Sequence, residues 1–146
     1  MPDPDVPADH VAQLGRGIAV ELRGFVRAAG RRRALPITAY VGVPGSVRTA
    51  LPHDPAHDRV LRTDLVERVV DGLPERAVDR RSACAWVTRP GELGLDTRDL
   101  EWWAVSRDGF ARHGLELPAF FVVTRYGWHE AFSGMSRHWL RVRPRR

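Results

Sequence analysis

The feature that most constrains the fold of this chain is a pair of short apolar runs that flank a helical segment. The runs, residues 82–88 and 119–124, are too short for helices, are rich in Val, Phe and Trp, and each ends in Val-Thr followed by Arg. Their nearly continuous apolar character is typical of strands that are covered on both faces. Between them, Asp96 is a good N-cap and Gly114 a good C-terminal stop. The pattern predicts a β-α-β unit with two central, parallel strands.

Other helices and the first strand are predicted from hydrophobic periodicity and turn residues. Apolar residues three and four apart predict a first helix over residues 9–29 and a second that begins after Asp58 and ends at Gly72. Residues 37–43, bounded by prolines, are predicted to form the first strand. We expect the second helix to bury Leu61, Leu65, Val66, Val69 and Leu73, and the helix of the β-α-β unit to bury Leu100, Trp103, Ala104, Phe110 and Ala111.

The end of the chain completes the predicted sheet. Residues 126–135 are predicted to form a loop, and residues 137–143 alternate in polarity as an antiparallel edge strand does. The order α-β-α-β-α-β-β predicts an α/β fold with a four-stranded mixed sheet in the strand order 1-2-3-4. The first helix would cover one face and the two later helices the other. We predict a single domain over residues 9–143, a flexible N-terminal tail over 1–8 and a basic C-terminal tail over 144–146.

Composition narrows the class of protein and its location. No apolar run approaches the ~20 residues that a membrane span needs, and the first residues lack the pattern of a signal peptide. We therefore expect a cytoplasmic protein without a membrane partner. Cys84 is the lone cysteine and lies within a predicted buried strand, which favours an inert structural thiol over a disulfide or a reactive site.

The chain is arginine-rich and basic, and its charge is unevenly distributed. All 23 basic residues are Arg, and the formal net charge is +5. Residues 16–33 and residues 125–146 each hold six Arg, whereas residues 54–101 are net acidic. We call the first two segments the basic zones. Basic zones attract polyanions, although part of the charge is expected to stabilise the fold by pairing with the acidic centre.

Two Thr-Arg pairs follow the two strands of the β-α-β unit and form the first candidate site. Thr88-Arg89 and Thr124-Arg125 would lie together beyond the carboxyl ends of parallel strands, where ligands commonly bind. Two arginines there would bind a carboxylate or phosphate. The alternative is that both arginines neutralise the carboxylates at the start of the following helix. The candidate site also takes in Trp128, His129 and Glu130.

The second candidate site is one face of the predicted edge strand. Arg137, Trp139, Arg141 and Arg143 alternate along the strand and would share that face. Arginine interleaved with an exposed aromatic side chain is used for single-stranded nucleic acid, by phosphate contact and base stacking. The same combination is used at protein interfaces, and it also occurs in ordinary strands whose Trp packs beneath Arg side chains.

A weaker candidate is a metal site at His53, His57 and Asp58. Histidines four residues apart share a helical face, and the aspartate would supply a third ligand. However, Pro55 lies between the histidines, and no further Cys or His pair completes a zinc signature. The favoured interpretation is a loop that leads into a helix with Asp58 as its N-cap. No metal or other cofactor is therefore expected.

The C-terminal half of the chain contains a set of short motifs that support a resemblance to other proteins. This half resembles small uncharacterised proteins of GC-rich actinobacteria. The resemblance lies in residues 85–91, 121–128, 133–134 and 137–141 and in Trp103, which stands between the first two ranges. The resemblance implies no activity, and it fits an all-arginine composition that arises from a GC-rich genome.

Three hypotheses for function follow. The leading one is a binding or accessory module that contacts a protein or a small anionic ligand. The second is a nucleic-acid-associated protein that uses the Arg/Trp edge strand. The third is a small enzyme that uses Arg89, Arg125, His129 and Glu130 at the strand ends, although no motif places a nucleophile beside a base.

Overall fold

The computed structural model describes residues 8–30 and 36–139. Apart from Ala8, the predicted N-terminal tail lies outside the described residues, as does the predicted C-terminal tail. The helices are α1 (Ala8–Ala29), α2 (Arg59–Asp71), α3 (Glu75–Asp79) and α4 (Thr97–Ala111). The strands are β1 (Thr38–Gly42), β2 (Arg48–Pro52), β3 (Cys84–Thr88), β4 (Phe120–Thr124), β5 (Gly127–Glu130) and β6 (Ser136–His138). Within the described residues, no helix combines the length and the apolar character needed to cross a membrane.

The strands form one mixed sheet in the order β2-β1-β3-β4-β5-β6. The predicted α/β class is confirmed, and so is the parallel pairing of β3 with β4 through the helix between them. All other neighbouring strands are antiparallel. The predicted strand count was wrong, because the sheet has six strands and not four. β2 and β3 both run antiparallel to β1 and therefore parallel to each other, so the segment with α2 and α3 crosses over from β2 to β3 past the intervening β1.

Two strands were missed because their sequences lack an apolar pattern. β2 is exposed along almost its whole length and returns from β1 through a hairpin turn in which the Val43 amide donates to the Val47 carbonyl at 2.7 Å. β5 occupies part of the segment predicted to be a loop. Gly127 begins it with φ 142°, where a side chain would meet the backbone of Arg137. Of the predicted last strand, β6 spans Ser136–His138, and residues 140–143 lie outside the described part of the chain.

Helices cover both faces of the sheet, as predicted. On one face α1 packs on β3, β4 and β5 through the core cluster Val11, Leu14, Ile18, Leu22, Cys84, Trp86, Ala119, Phe121, Val123 and Trp128. On the other face α2 and α4 pack on the sheet and on each other, around Val66, Val70, Trp102, Val105, Phe110, Phe120 and Val122. Burial raises the pKa of the Cys84 thiol well above its ordinary value, as expected for an inert cysteine.

The buried faces of α2 and α4 were predicted in part: Val66 and Phe110 are buried as expected, and Val69, Leu73 and Trp103 pack against the core. The predicted N-cap Asp96 is confirmed and forms a capping box with Asp99. However, α4 buries Asp99, Trp102, Val105, Ser106, Gly109 and Phe110, whereas Leu100 is 46% exposed. In α2 the buried residues are Arg62, Thr63, Val66 and Val70, and Leu61 is exposed. Each helix is thus turned so that a polar residue enters the buried stripe.

Candidate functional site

Arg89 follows β3, and the fold uses its whole guanidinium. Nε and one terminal nitrogen donate to the Asp99 carboxylate at 2.8–3.1 Å. The terminal nitrogens also donate to the carbonyls of Pro90, Glu92 and Gly94 at 2.9–3.1 Å. All five N–H groups of this buried side chain therefore have acceptors within the chain. Arg89 stabilises the start of α4, which is the alternative role predicted for it, and retains no N–H group for a ligand.

The other members of the two Thr-Arg pairs do not form a matched site with Arg89. Thr88 and Thr124 are buried, and the Thr124 hydroxyl accepts a hydrogen bond from the Tyr126 amide at 3.1 Å. Arg125 is exposed in the turn between β4 and β5, with its guanidinium 6.0 Å from the centre of the Tyr126 ring. One arginine of the predicted pair is thus structural, and the other lies on the surface.

The sheet carries Glu130 away from the strand ends at which we predicted it. β5 runs back beside β4, so Glu130 lies opposite Phe121 near the start of that strand. Its carboxylate is fully buried and accepts hydrogen bonds from the amides of Phe120, Phe132 and Ser133 at 2.7–3.0 Å. Glu130 therefore organises the β5–β6 turn. An enzyme site formed by Arg89, Arg125, His129 and Glu130 is not assembled.

Trp128 and His129 leave β5 on opposite sides of the sheet. Trp128 is 4% exposed and packs edge-to-face on Phe121 beneath α1, with ring centres 5.2 Å apart. His129 is half-buried and shares a hydrogen bond with the Ser136 hydroxyl of β6. The sheet therefore separates the two side chains. On the neighbouring edge Arg137 and Trp139 are exposed, and Arg141 and Arg143 lie outside the described residues.

A different set of residues lines a cleft of about 550 Å³ between the end of β2, the start of α2 and the outer side of α4. Pro52, Thr38 and Thr88 lie in one row across the sheet, so the cleft opens at the end of the sheet where β3 terminates. Its polar lining includes His53, His57, Asp58, Arg62, Arg98 and Glu101. Ala104, Val105 and Pro55 supply an apolar side. We call this the Arg62 cleft.

Arg62 is the least expected residue of this cleft. It is 7% exposed, and its guanidinium lies 5.4 Å from the centre of the Trp102 ring. One terminal nitrogen donates to the Glu101 carboxylate at 3.3 Å and the other to the Asp54 carbonyl at 3.0 Å. Its Nε is buried and has no hydrogen-bond partner within the described residues. Because guanidinium carries five N–H groups, this buried cation retains several unused donors.

His53 lies next to Arg62 in an electrically neutral form. Its Nδ1 accepts a hydrogen bond from Nε1 of the buried Trp102 at 3.1 Å, so the proton of the neutral ring lies on Nε2. Burial lowers the pKa of His53, and the positive charges of Arg62 and Arg98 lower it further. His53 is therefore held as a neutral imidazole that has an N–H group to donate.

The residues predicted as a weak metal site all line the Arg62 cleft, but they are not arranged as ligands. Asp58 caps α2, as predicted, by accepting from the Leu61 amide at 2.8 Å. His57 lies 3.4 Å from the Asp54 carboxylate, and Nδ1 of His53 is occupied by Trp102. No group of three or more His, Cys, Asp or Glu suited to a metal ion occurs in the part of the chain that the structure describes.

The lining of the cleft holds three arginines, Arg59, Arg62 and Arg98, and two carboxylates, Asp58 and Glu101. Arg59 forms an exposed ion pair with Asp108 at 2.9 Å, and Glu101 contacts Arg62 from a side chain that is 53% exposed. Arg98, exposed on the first turn of α4, forms no ion pair within the described residues. The unused donors are thus Nε of Arg62, the Arg98 guanidinium and Nε2 of His53, which carries the proton of the neutral ring. Such a set binds carboxylate or phosphate oxygens beside an apolar wall.

Neither Arg62 nor Arg98 was identified from the sequence, and only Arg62 lies in a sequence pattern that could have revealed it. Arg62, Val66 and Val70 are spaced four apart, so Arg62 stands on the same helical stripe as two core valines. An arginine on an apolar stripe predicts either a buried ion pair or a site. Arg98 is one of many exposed arginines, and only the fold brings it next to the cleft.

Comparison with protein-family models, with curated proteins and with solved structures found no significant match to this chain. The resemblance to actinobacterial proteins therefore stays a prediction, and the functional argument depends on the chemistry of the chain itself.

Proposed function

We propose that this protein is a binding module for a small organic anion, which it holds in the Arg62 cleft. The ligand carries a carboxylate or phosphate that accepts from Arg62 and Arg98, and a compact apolar body that lies against Ala104 and Val105. The volume of about 550 Å³ fits a small metabolite, since such sites measure ~300–1,000 Å³.

The observation that carries the proposal is the unpartnered, buried Nε of Arg62. Leaving a charged donor without an acceptor costs ~1–3 kcal/mol or more, so folded proteins rarely retain one without a use. An anion oxygen would satisfy Nε, and a second oxygen of the same group would accept from a terminal nitrogen of the same guanidinium. The neutral His53 supports the proposal, because its Nε2–H group can donate a hydrogen bond to the anion. The neutral ring carries no charge and therefore needs no acidic partner in the cleft.

The proposal can be tested with four probe anions at the Arg62 side chain itself. Benzoate and phenyl phosphate combine an anionic group with an apolar body, and acetate and inorganic phosphate lack that body. We expect benzoate or phenyl phosphate to shift the ¹H–¹⁵Nε resonance of Arg62, which is assigned by its loss in Arg62→Lys. The Nε resonance of Arg89 serves as the internal control, because its donors are already used.

Two variants separate the cleft from general charge. Arg62→Lys keeps the charge but removes Nε, and Arg98→Gln removes the second cation; each is expected to weaken binding of the best probe at least ~10-fold. Arg107→Gln is the matched control, since Arg107 is exposed on the same helix but contacts the Trp103 ring and does not line the cleft. If no probe moves the Arg62 resonance at about 10 mM, a concentration that detects even weak sites, the proposal is wrong.

A further inference from the structure

The two basic zones of the sequence converge on one side of the fold, away from the Arg62 cleft. Their described members are Arg16, Arg23 and Arg27 of α1, Arg125 of the β4–β5 turn and Arg137 of β6. All five are exposed, and none forms an ion pair within the described residues. Each belongs to an element that packs on or beside β5.

Contacts of α1 fix which way its sides face. Gly15 packs so closely on Trp128 that an added Cβ would lie 2.7 Å from the indole ring, which places α1 across β5. Gly17 touches Pro44, and Glu21 pairs with Arg48 at 2.8 Å, so that side of α1 faces the β1–β2 hairpin. At 100° per residue, the opposite flank, which lies toward β5, carries Ala12, Ala19 and Val26.

The arginines of α1 form a ridge along its outer side. Arg16, Arg23 and Arg27 are seven and four residues apart and therefore share one stripe, pointing away from the sheet and inclined toward the flank that faces β6. Ala12, Ala19 and Val26 are short, so no long side chain of that flank stands between the ridge and β6.

The edge strand contributes charge to the same side. Arg137 pairs directly with Trp128 in the sheet, and directly opposed residues project on the same face, so Arg137 leaves the sheet on the face that α1 covers. At the end of β6 the Trp139 amide donates to the Tyr126 carbonyl at 2.8 Å, which holds Trp139 beside the turn that carries Arg125. Trp139 is 38% exposed. This side therefore presents an exposed indole between arginines.

Acidic residues are nearly absent from these elements. In the described parts of α1 and of residues 125–139 the acids are Asp9, Glu21 and Glu130. Glu21 is paired with Arg48, and Glu130 is fully buried. The face that carries α2 and α4 differs, because acidic residues lie among its arginines and form pairs such as Arg59–Asp108 and Arg112–Asp64. Among the described residues, α1, β5 and β6 thus form a side with few acids to offset its arginines.

We propose that the side formed by Arg16, Arg23, Arg125, Arg137 and Trp139 binds single-stranded nucleic acid. The α1 ridge and Arg137 contact phosphates, and Trp139 provides a stacking surface for a base. Unpaired arginines alone would suit any polyanion, and the exposed tryptophan among them is the feature that favours unstacked bases over an acidic protein. Duplex is disfavoured, because its bases are already stacked on each other.

The test is the anisotropy of a fluorescent oligothymidylate with the full chain at about 50 and 200 mM salt, where phosphate contacts make binding strongly salt-dependent. Arg23→Ala/Arg137→Ala is expected to weaken binding at least ~10-fold and to reduce the salt slope by about 1.4, ~0.7 for each lost contact with a single strand. The matched control is Arg68→Ala/Arg76→Ala, which removes two exposed, unpaired arginines from α2 and α3 and is expected to bind like the wild type.

Stacking is tested separately at Trp139. Trp139→Ala is expected to lose roughly 5- to 100-fold in affinity, as stacked aromatics do, and Trp139→Phe to retain most of it. Displacement of the oligonucleotide by polyglutamate as effectively as by unlabelled oligothymidylate would overturn the assignment in favour of an acidic protein partner. Equal weakening by the two double variants, or no binding at low salt, would also overturn it. Arg62→Lys is expected to bind the oligonucleotide normally, which keeps this test independent of the anion cleft.

Discussion

Arg89 and Arg62 are buried to almost the same extent, 5% and 7% exposed, and each contacts a carboxylate of α4. They differ in how many of their donors the chain uses. Arg89 has an acceptor for every N–H group, and its carboxylate partner Asp99 is fully buried. Arg62 has one bond to a half-exposed Glu101, one to a carbonyl, and a buried Nε without a partner.

This difference separates an arginine that holds the fold from one that is free to bind. A buried cation with a complete set of acceptors gains from each of them, and loss of its partner leaves an uncompensated charge. A buried cation with spare donors contributes less to folding because part of its desolvation cost is not recovered. The sequence presents both residues as members of an arginine-rich chain, and their roles diverge only in the local geometry.

Removal of Arg89 is expected to produce the largest effect. Arg89→Ala leaves the Asp99 carboxylate buried without its cation, and we expect the free energy of unfolding to fall by about 3–5 kcal/mol, measured by urea denaturation. Because Asp99 also accepts from the Asp96 amide, the start of α4 should lose helicity in the same variant.

The apolar pair Arg89→Met/Asp99→Leu distinguishes a broken ion pair from simple loss of packing. It removes both charges together, so a substantial part of the stability lost in Arg89→Ala should return. If Arg89→Ala costs less than about 1 kcal/mol, as exposed ion pairs do, the contrast between the two arginines does not hold.

The close approach of α2 and α4, on which the Arg62 cleft depends, is expected to give the second-largest effect. Gly109 of α4 lies against Val66, and an alanine Cβ there would be 2.5 Å from Val66 Cγ1. Gly109→Ala should therefore cost about 1–3 kcal/mol by forcing the helices apart. Gly24→Ala in α1 is the matched control, because nothing lies within 4 Å of its Cβ; it should be neutral or stabilising by up to ~1 kcal/mol. Equal effects of the two substitutions would contradict this account.

Removal of Arg62 should affect stability much less than removal of Arg89. Arg62→Met keeps the apolar stem over Trp102 and eliminates the unpartnered Nε, so the unfolding free energy should change by less than about 1 kcal/mol in either direction. Binding of the best probe anion should be lost in the same variant. A destabilisation as large as that of Arg89→Ala would show that Arg62 is a structural residue and would remove the basis of the proposed site.

How far the sequence predicts this fold depends on whether local pattern and burial agree. The β-α-β unit was predictable because continuous apolar runs, an Asp96 N-cap and a terminal glycine all indicate the same elements. β2 and β5 were not, since one is exposed and the other is four residues long. Their place in the sheet is decided by pairing with β1 and β4. The local sequence of each strand does not reveal this pairing.

The candidate site was less predictable than the fold. The rotation of α4 depends on which of two adjacent tryptophans enters the core; Trp102 does, and it then supplies the N–H group that fixes His53. His53 was only a weak candidate metal ligand in the sequence, where a loop that leads into α2 was favoured, and its neighbours in space are Arg62 and Trp102. The spacing of the histidines along the chain therefore did not reveal these neighbours.

The smallest expected effect is the electrostatic effect of Arg62 on the pKa of His53. Burial, together with the charges of Arg62 and Arg98, lowers the pKa of His53 in the folded state, whereas Arg89 is not among the charges that act on it. Below pH ~6.5 the unfolded chain takes up a proton that the folded imidazole resists, so this residue reduces stability as the pH falls. Titration of His53 by NMR should give a pKa below its ordinary value in the wild type, and a higher pKa in Arg62→Met. His53→Gln, which can still accept from Trp102, should lose less stability than the wild type between pH 7 and pH 5. An unchanged His53 pKa in Arg62→Met would mean that the charge of Arg62 does not act on the cleft. Arg62 would then resemble Arg89 in its role as well as in its burial.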